Sequence, residues 1–388
     1  MNRRILYITG TRADYGIMKE TLSLLNNDND IELHIAATGM HLMPEFGNTI
    51  NEIRNDNLTI HKINAVFAED NPESMSRFIG VVINQLTQLM QKIQPDIVLL
   101  LGDRGEMLAA AVVATYLTIP VAHIHGGEIT STVDDYARNA ITKLAQIHLP
   151  ATKNSRERII NMGENPANIH VVGAPGLDPI LNMPLIPREE ILQKYNLKAD
   201  KPILLVTQHA VSLEIKQAAS QIQKTLDAVL ENKDHQVLLV YPNADAGGRS
   251  MITIIQEYEE KYPIEQLRTY KSIPHTDFLS LLNTVDVMIG NSSSGIIEAP
   301  SFHLPVINIG TRQQGRERSE NIIDVNYDTE EIKEALYKAC NNTFFLNKVA
   351  RCENPYGDGQ TAPRIVEILK NTKINQELLN KTLWEIKN

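Results

Sequence analysis

The sequence predicts an α/β fold of two doubly wound parallel sheets. Three observations lead there. Short apolar runs alternate with longer helical patterns from end to end of the 388 residues. Most runs are near-continuous Val, Ile and Leu, as in parallel strands covered on both faces. A Gly- and Pro-rich stretch near the middle leaves two halves of similar size, each with enough strands for its own sheet.

In the first half the strand runs lie at 4–9, 31–37, 97–101, 121–124 and 169–172, with helical spacing at 74–93 and 106–117. Gly173, Pro175, Gly176, Pro179, Pro184 and Pro187 then crowd one short stretch and mark a boundary. Beyond it strands are expected at 203–207, 237–241, 285–289 and 306–309, with a helical pattern at 213–230. Residues 374–388 read as an amphipathic helix added after the domains are complete.

Composition narrows the function. With 37 Lys+Arg against 47 Asp+Glu the net charge is −10, which lacks the electrostatic footprint of a nucleic-acid or anionic-membrane binder. A hydrophobic share of 43% with 22% charged is that of a globular chain, not a disordered or fibrous one. Two cysteines, Cys340 and Cys352, make neither a disulfide framework nor a four-thiolate zinc site, and fit a reducing, cytoplasmic setting. The longest apolar stretch, 107–122, is broken by Pro120 and falls short of the ~20 residues that span a bilayer. No membrane partner is expected.

Ligands of open parallel sheets bind beyond the carboxyl ends of the strands. Those ends are polar and glycine-rich here: Gly10-Thr11-Arg12-Ala13-Asp14, Gly102-Asp103-Arg104, His125-Gly126-Gly127-Glu128, Gln208-His209, the segment from Pro242 to Arg249, and Gly290-Asn291-Ser292-Ser293-Ser294-Gly295. The last joins a strand to a helical pattern, an arrangement that offers N–H groups and hydroxyls to a phosphate. Gly295 would let the phosphate approach, and Glu298 would accept from ribose hydroxyls. An ordinary serine N-cap is the competing reading. Neither G-x-x-x-x-G-K-[ST] nor G-x-G-x-x-G occurs, so P-loop and nicotinamide readings lose their main support.

Arg12 suits a diphosphate through its planar fork, and Arg249, Arg312, Arg316 and Arg318 form a second supply of cations. Asp103 and Glu128 end neighbouring strands, where two carboxylates can divide acid and base roles; Asp103 can equally cap the helix that follows it. Asp134 and Asp135 open another helical stretch, and a capping role does not exclude a catalytic one for Asp135. His123 and His125 share a strand face, but no third ligand stands at metal spacing, so no metal is assigned. His209 is a candidate for general chemistry, against a satisfied core histidine.

Together these motifs resemble the hydrolysing UDP-N-acetylglucosamine 2-epimerases of sialic-acid-type sugar biosynthesis. The resemblance rests on GTRADY (10–15), TGMHLMPEFG (38–47), GDR (102–104), HIHGGE (123–128), DDYARNAITKL (134–144), residues 206–209, PNADAGGR (242–249), GNSSSGIIEAP (290–300) and NIGTRQQGR (308–316). It implies two Rossmann-like domains facing a cleft, of GT-B type: residues 1–172 plus 366–388 with a returning C-terminal helix, and residues 173–365 holding UDP. It implies Asp103, Glu128, Asp135 and His209 as catalytic residues. The substrate-binding residues would be Arg12, His41, Arg104, Arg138, Asn243, Arg249, His275, Gly290, Asn291, Ser292, Ser293, Ser294, Gly295, Glu298, Arg312, Gln314 and Arg316. A UDP-sugar is the implied partner, no cofactor is needed, and a homodimer or homotetramer is expected.

The implied reaction converts UDP-GlcNAc and water to N-acetylmannosamine and UDP, by anti-elimination to a glucal and hydration. The alternatives are the same reaction on UDP-2,4-diacetamido-2,4,6-trideoxyglucose of the legionaminic-acid pathway, or a non-hydrolysing UDP-GlcNAc 2-epimerase. A glycosyltransferase and a sugar-nucleotide sensor without turnover are more distant rivals. One departure stands out: Asn139 occupies the position of a usual family histidine.

Overall fold

The computed structural model describes residues 2–44, 47–67, 69, 71–130, 134–182, 184–211, 213–243 and 245–385. Of the segments singled out above, Glu45, Phe46, Ala244 and residues 386–388 lie outside the described residues.

The first sheet comprises β1 (Arg3–Thr9), β2 (Ile31–Ala37), β3 (Thr59–Lys62), β4 (Ile97–Leu101), β5 (Val121–Ile124) and β6 (Ile147–Leu149), in the order β3-β2-β1-β4-β5-β6. The second comprises β7 (Ile203–Thr207), β8 (Gln236–Val240), β9 (Leu267–Tyr270), β10 (Val287–Gly290), β11 (Val306–Ile309) and β12 (Ile322–Val325), in the order β12-β11-β10-β7-β8-β9. Every pairing is parallel. Helices flank each sheet, giving two Rossmann-like domains. Each sheet has its own core: Ile5, Tyr7, Ile35, Leu99 and Ile124 in the first, Leu204, Val206, Leu239, Ile289 and Ile307 in the second.

The strand runs at 31–37, 97–101, 121–124, 203–207 and 306–309 match the observed strands residue for residue. Residues 169–172 do not form a strand; Ile169 makes an isolated parallel bridge to His148, and the sixth strand is Ile147–Leu149. β3, β6, β9 and β12 were not anticipated, and all four are outer strands of their sheets. An edge strand has one partner, tolerates polar residues and stays short, as TIHK and LRTY do, so it lacks the apolar run that marks a central strand.

The chain divides into two compact units, residues 1–128, 133–181 and 356–388 in one, 129–132 and 182–355 in the other. Residues 173–181 and 356–365 pack within the first unit. The Ala174 N–H donates to the Tyr356 carbonyl at 2.8 Å. Gly173 has φ +95°, and a Cβ there would stand 2.7 Å from Thr361 Oγ1. The buried Asp178 carboxylate accepts the Thr361 N–H at 3.0 Å and the Ala362 N–H, capping the helix Thr361–Asn371 from outside its own sequence. That helix lies on the helix Arg12–Asn27 and buries Ile365 and Leu369. The expected helix at 374–388 is instead a single turn, Gln376–Leu379. Among the described residues no helix is long and apolar enough to cross a membrane.

Candidate active site

In each sheet the strand order reverses beside its first strand, between β1 and β4 in one unit and between β7 and β10 in the other. Loops leaving such a pair diverge and open a crevice at the strand ends. GTRAD and GDR leave β1 and β4; Gln208-His209 and the Asn-Ser-Ser-Ser turn leave β7 and β10.

In the first unit the loop after β1 is wound around Asp14. Thr11 and Asp14 form a reciprocal capping box at the start of the helix Arg12–Asn27. The Asp14 carboxylate also accepts the Gly10 and Thr11 N–H groups at 3.0 and 2.8 Å. Burial, aided by the Glu106 charge, pushes its pKa up to about 6. Arg12 points to Glu52, donating from Nε at 2.9 Å. His41 is fully buried beneath this loop, with Nε2 2.9 Å from Thr9 Oγ1 and Nδ1 2.8 Å from Thr49 Oγ1. Burial drives its pKa down to about 3, so the ring is neutral and its nitrogens hold protein hydroxyls.

Asp103 does not cap the next helix. The N-cap of Gly105–Tyr116 is Arg104, without a side-chain bond, and Arg104 Nε donates to Glu106 at 2.7 Å. The Asp103 carboxylate instead meets Arg138. Arg138, 1% exposed, gives one terminal nitrogen to Asp103 and the other to Asp135 and to the Glu128 carbonyl, the last at 3.1 Å. Burial disfavours its charge, yet Asp103, Glu128, Asp135 and Asp134 outweigh that and raise its pKa. The structure therefore brings Asp103, Glu128, Asp135 and Arg138 together, with Arg138 holding the carboxylates. Asn139, its neighbour on the helix Asp134–Leu144, is exposed.

The residues of the HIHGGE segment take separate places. His123 is buried; its Nε2–H donates to the Gly102 carbonyl at 2.7 Å, and burial lowers its pKa to about 3. It is a core histidine that pins the loop carrying Asp103. Gly127 has φ +75°, and a Cβ would sit 2.3 Å from the Ser155 carbonyl. The buried Glu128 side chain lies 2.7 Å from His125 Nδ1.

In the second unit the fully buried Asn291 side chain clamps the His209 main chain: Oδ1 accepts the His209 N–H at 2.7 Å and Nδ2 donates to its carbonyl at 2.9 Å. His209 Nδ1 accepts the Asn243 N–H at 3.2 Å, which places the proton of a neutral ring on Nε2. Gly290 is required beside this clamp, because a Cβ would lie 2.0 Å from the Thr207 carbonyl. Arg312 and Gln313 both donate to the Asn291 carbonyl, at 3.1 and 2.9 Å. Gln313 is buried, whereas the anticipated Gln314 is exposed.

Ser292, Ser293 and Ser294 are half-buried at the head of a single helical turn, Ser294–Ile297, which continues as a 3₁₀ turn. So short a helix contributes little dipole; the hydroxyls and N–H groups are what an anion would meet. Gly295 also serves packing, since a Cβ would stand 2.8 Å from Val306 Cγ1 on β11. Glu298 is buried. Arg249 and His275 are half-buried in the first turns of the helices Gly248–Lys261 and His275–Leu282, and Arg316 is half-buried in the loop after β11. Arg318 is paired with Asp324. Sequence reasoning missed Glu106 and Gln313. Glu106 had left a signal as the lone charge in the apolar helix Gly105–Tyr116.

Comparison with known proteins now bears on these motifs. The chain is 44% identical over 382 residues to the hydrolysing UDP-N,N'-diacetylbacillosamine 2-epimerase of Legionella pneumophila, covering 98% of this chain and 99% of that one. It is 36% identical over 376 residues to the UDP-N-acetylglucosamine 2-epimerase of Neisseria meningitidis serogroup B, covering 95% of each. Its fold matches the crystal structure of a UDP-GlcNAc 2-epimerase from Neisseria meningitidis bound to UDP-GlcNAc, with TM-score 0.78 and 19% identity over 95% of this chain and 100% of that one. The profile of one family matches residues 23–370, and the chain belongs to that family, the UDP-N-acetylglucosamine 2-epimerases.

Proposed function

We propose that the protein is a hydrolysing UDP-sugar 2-epimerase that releases UDP and the free 2-epimeric sugar. The observation that carries the chemistry is the buried Arg138 guanidinium holding Asp103, Asp135 and the Glu128 carbonyl at one strand end. The C2–H of a 2-acetamido sugar is a weak acid, so its removal must be coupled to departure of the diphosphate. A carboxylate of this group takes the C2 proton, the C1–O bond to UDP breaks, and a C1=C2 bond forms. Positive charge develops near C1 as UDP leaves, and the neighbouring carboxylates stabilise it. Water then adds its hydroxyl to C1 while a proton returns to C2 on the opposite face.

In this reading the second unit holds the nucleotide. Ser292, Ser293 and the N–H groups of their turn, with Arg249, Arg312 and Arg316, meet the diphosphate, and Glu298 meets the ribose. His209, oriented through Asn291 and Asn243, presents Nε2 to the sugar. The sugar itself is proposed to be UDP-2,4-diacetamido-2,4,6-trideoxyglucose, supported by the Legionella pneumophila enzyme at 44% identity. UDP-GlcNAc is the second reading, supported by the Neisseria meningitidis enzyme at 36%.

Turnover of each sugar nucleotide in heavy water tests the proposal. Free UDP and a free 2-epimer carrying deuterium at C2 are expected, with faster turnover of the diacetamido substrate. Accumulation of a UDP-linked epimer would replace the hydrolysing reading with the non-hydrolysing one. Tight UDP binding without turnover of either sugar would refute an epimerase.

A further inference from the structure

The first unit holds a second buried charge cluster, centred on Glu164, that the proposed chemistry does not use. The Glu164 carboxylate is 2% exposed and receives Lys143 Nζ at 2.6 Å, His148 Nε2 at 3.1 Å and Lys381 Nζ at 2.7 Å. Lys381 does more than neutralise it. The same ammonium donates to the main-chain carbonyls of Thr142, Lys143 and Ala145 at 3.1, 2.7 and 2.5 Å. These carbonyls lie in the last turn of the helix Asp134–Leu144 and just beyond it, where no intrahelical donors are left and a cation suits the dipole.

The tail bearing Lys381 is itself anchored. The Trp384 N–H donates to the Gly163 carbonyl at 2.9 Å. Leu383 fills the space above Gly163, whose Cβ would lie 2.5 Å from Leu383 Cδ1. Residues 381–384 thus grip one end of a helix whose first turn carries Asp135 and, one turn on, Arg138. Arg138 pairs with Asp135 on this helix and must also meet Asp103, which belongs to the loop after β4. A rigid rod held at one end has the position of its other end set along the axis, and ångström displacements of reacting groups are costly in rate.

We propose that Lys381 is a positioning residue: with the strap 381–384 it fixes the helix Asp134–Leu144 so that Arg138, paired with Asp135, engages Asp103. The activity readout, though not the structural one, rests on the epimerase reading above.

The test compares Lys381→Met, Lys381→Gln and Lys381→Arg in the full chain. Three quantities are read: kcat and KM with whichever sugar nucleotide the wild type turns over, UDP affinity by calorimetry, and amide hydrogen exchange. Lys381→Met is expected to lower kcat at least tenfold with KM and UDP affinity within about threefold of wild type. Amides of residues 134–145 should exchange at least tenfold faster while those of β1 and β4 do not change. Lys381→Arg should recover most of kcat. If Lys381→Met fails to fold, Lys381→Gln, which keeps an amide donor for the carbonyls, should show the same pattern at smaller amplitude. A kcat within twofold of wild type in a folded variant, or faster exchange spread over the whole unit, would overturn the proposal. A wild type without turnover would overturn the epimerase reading instead, and exchange at 134–145 would still decide the strap.

Discussion

Acid should loosen the first unit by a calculable amount. His41 and His123 both have pKa values lowered to about 3, chiefly by burial, against about 6.5 in the unfolded chain. A histidine with a depressed folded pKa binds fewer protons folded than unfolded between those values, so stability falls as pH falls through that window. Lowering the pH from about 7.5 to about 5 then costs about 2 kcal/mol per histidine. Asp14 opposes this. Its folded pKa of about 6 lies above the unfolded one, so its ionisation is a burden at neutral pH that acid relieves, by about 1 kcal/mol over the same range. Glu164, lowered to about 2, matters only below this range. These three groups, the two histidines and Asp14, together give a loss of about 3 kcal/mol, a large share of a typical 5–15 kcal/mol.

Urea unfolding at the two pH values, followed through Trp384, measures it. Trp384 is the single tryptophan of the chain and donates its N–H to Gly163 within the first unit, so its fluorescence reports the unit that holds both histidines. A fall in midpoint of about 1 M is expected for a slope of ~2–3 kcal/mol/M. His123→Gln keeps a donor for the Gly102 carbonyl but cannot titrate, and should shrink the acid loss by about 2 kcal/mol. An unchanged or higher midpoint at low pH, or an undiminished loss in His123→Gln, would refute the reasoning.

Two further outcomes concern the candidate residues. Asp103→Asn and Glu128→Gln should each reduce turnover by ~10²–10⁴-fold, the worth of a general acid or base, while calorimetric UDP affinity stays within about threefold; loss of UDP affinity in both would move these carboxylates to the nucleotide. Asn291→Ala should destabilise the second unit by about 2–4 kcal/mol in urea, because the His209 N–H and carbonyl both lose their buried partner; a change below about 0.5 kcal/mol would show that water replaces the clamp.

The central strands were legible because parallel strands buried on both faces must be apolar throughout, as IVLLL and ILLVT are. The edge strands were not, because one-sided pairing leaves no such run. The candidate residues could be located because a doubly wound topology puts function at strand ends, a rule that needs only strand positions. Arg138 was among the residues the resemblance implied, but its pairing with Asp103 and Asp135 was hidden. Arg138 lies 35 positions from Asp103, and on its helix it reads as an ordinary surface arginine until the fold buries it. The absent side chain of Gly295 also makes room for Val306, a contact that no local pattern reveals.

The arrangement around Arg138 also explains why one departure from the family pattern need not disturb the carboxylates it holds. A guanidinium presents five donors in a rigid fork, so one side chain can tie a carboxylate from the loop after β4 to another from the helix and still reach the Glu128 carbonyl. A lysine in its place would be a point charge with no such geometry. On an α-helix successive side chains are turned by ~100°, so with Arg138 directed inward, Asn139 is directed elsewhere, and it is exposed. The residue that differs from the usual histidine is therefore none of the groups that gather Asp103 and Asp135. The buried fork sets how the carboxylates stand, while the exposed neighbour is open to change without moving them.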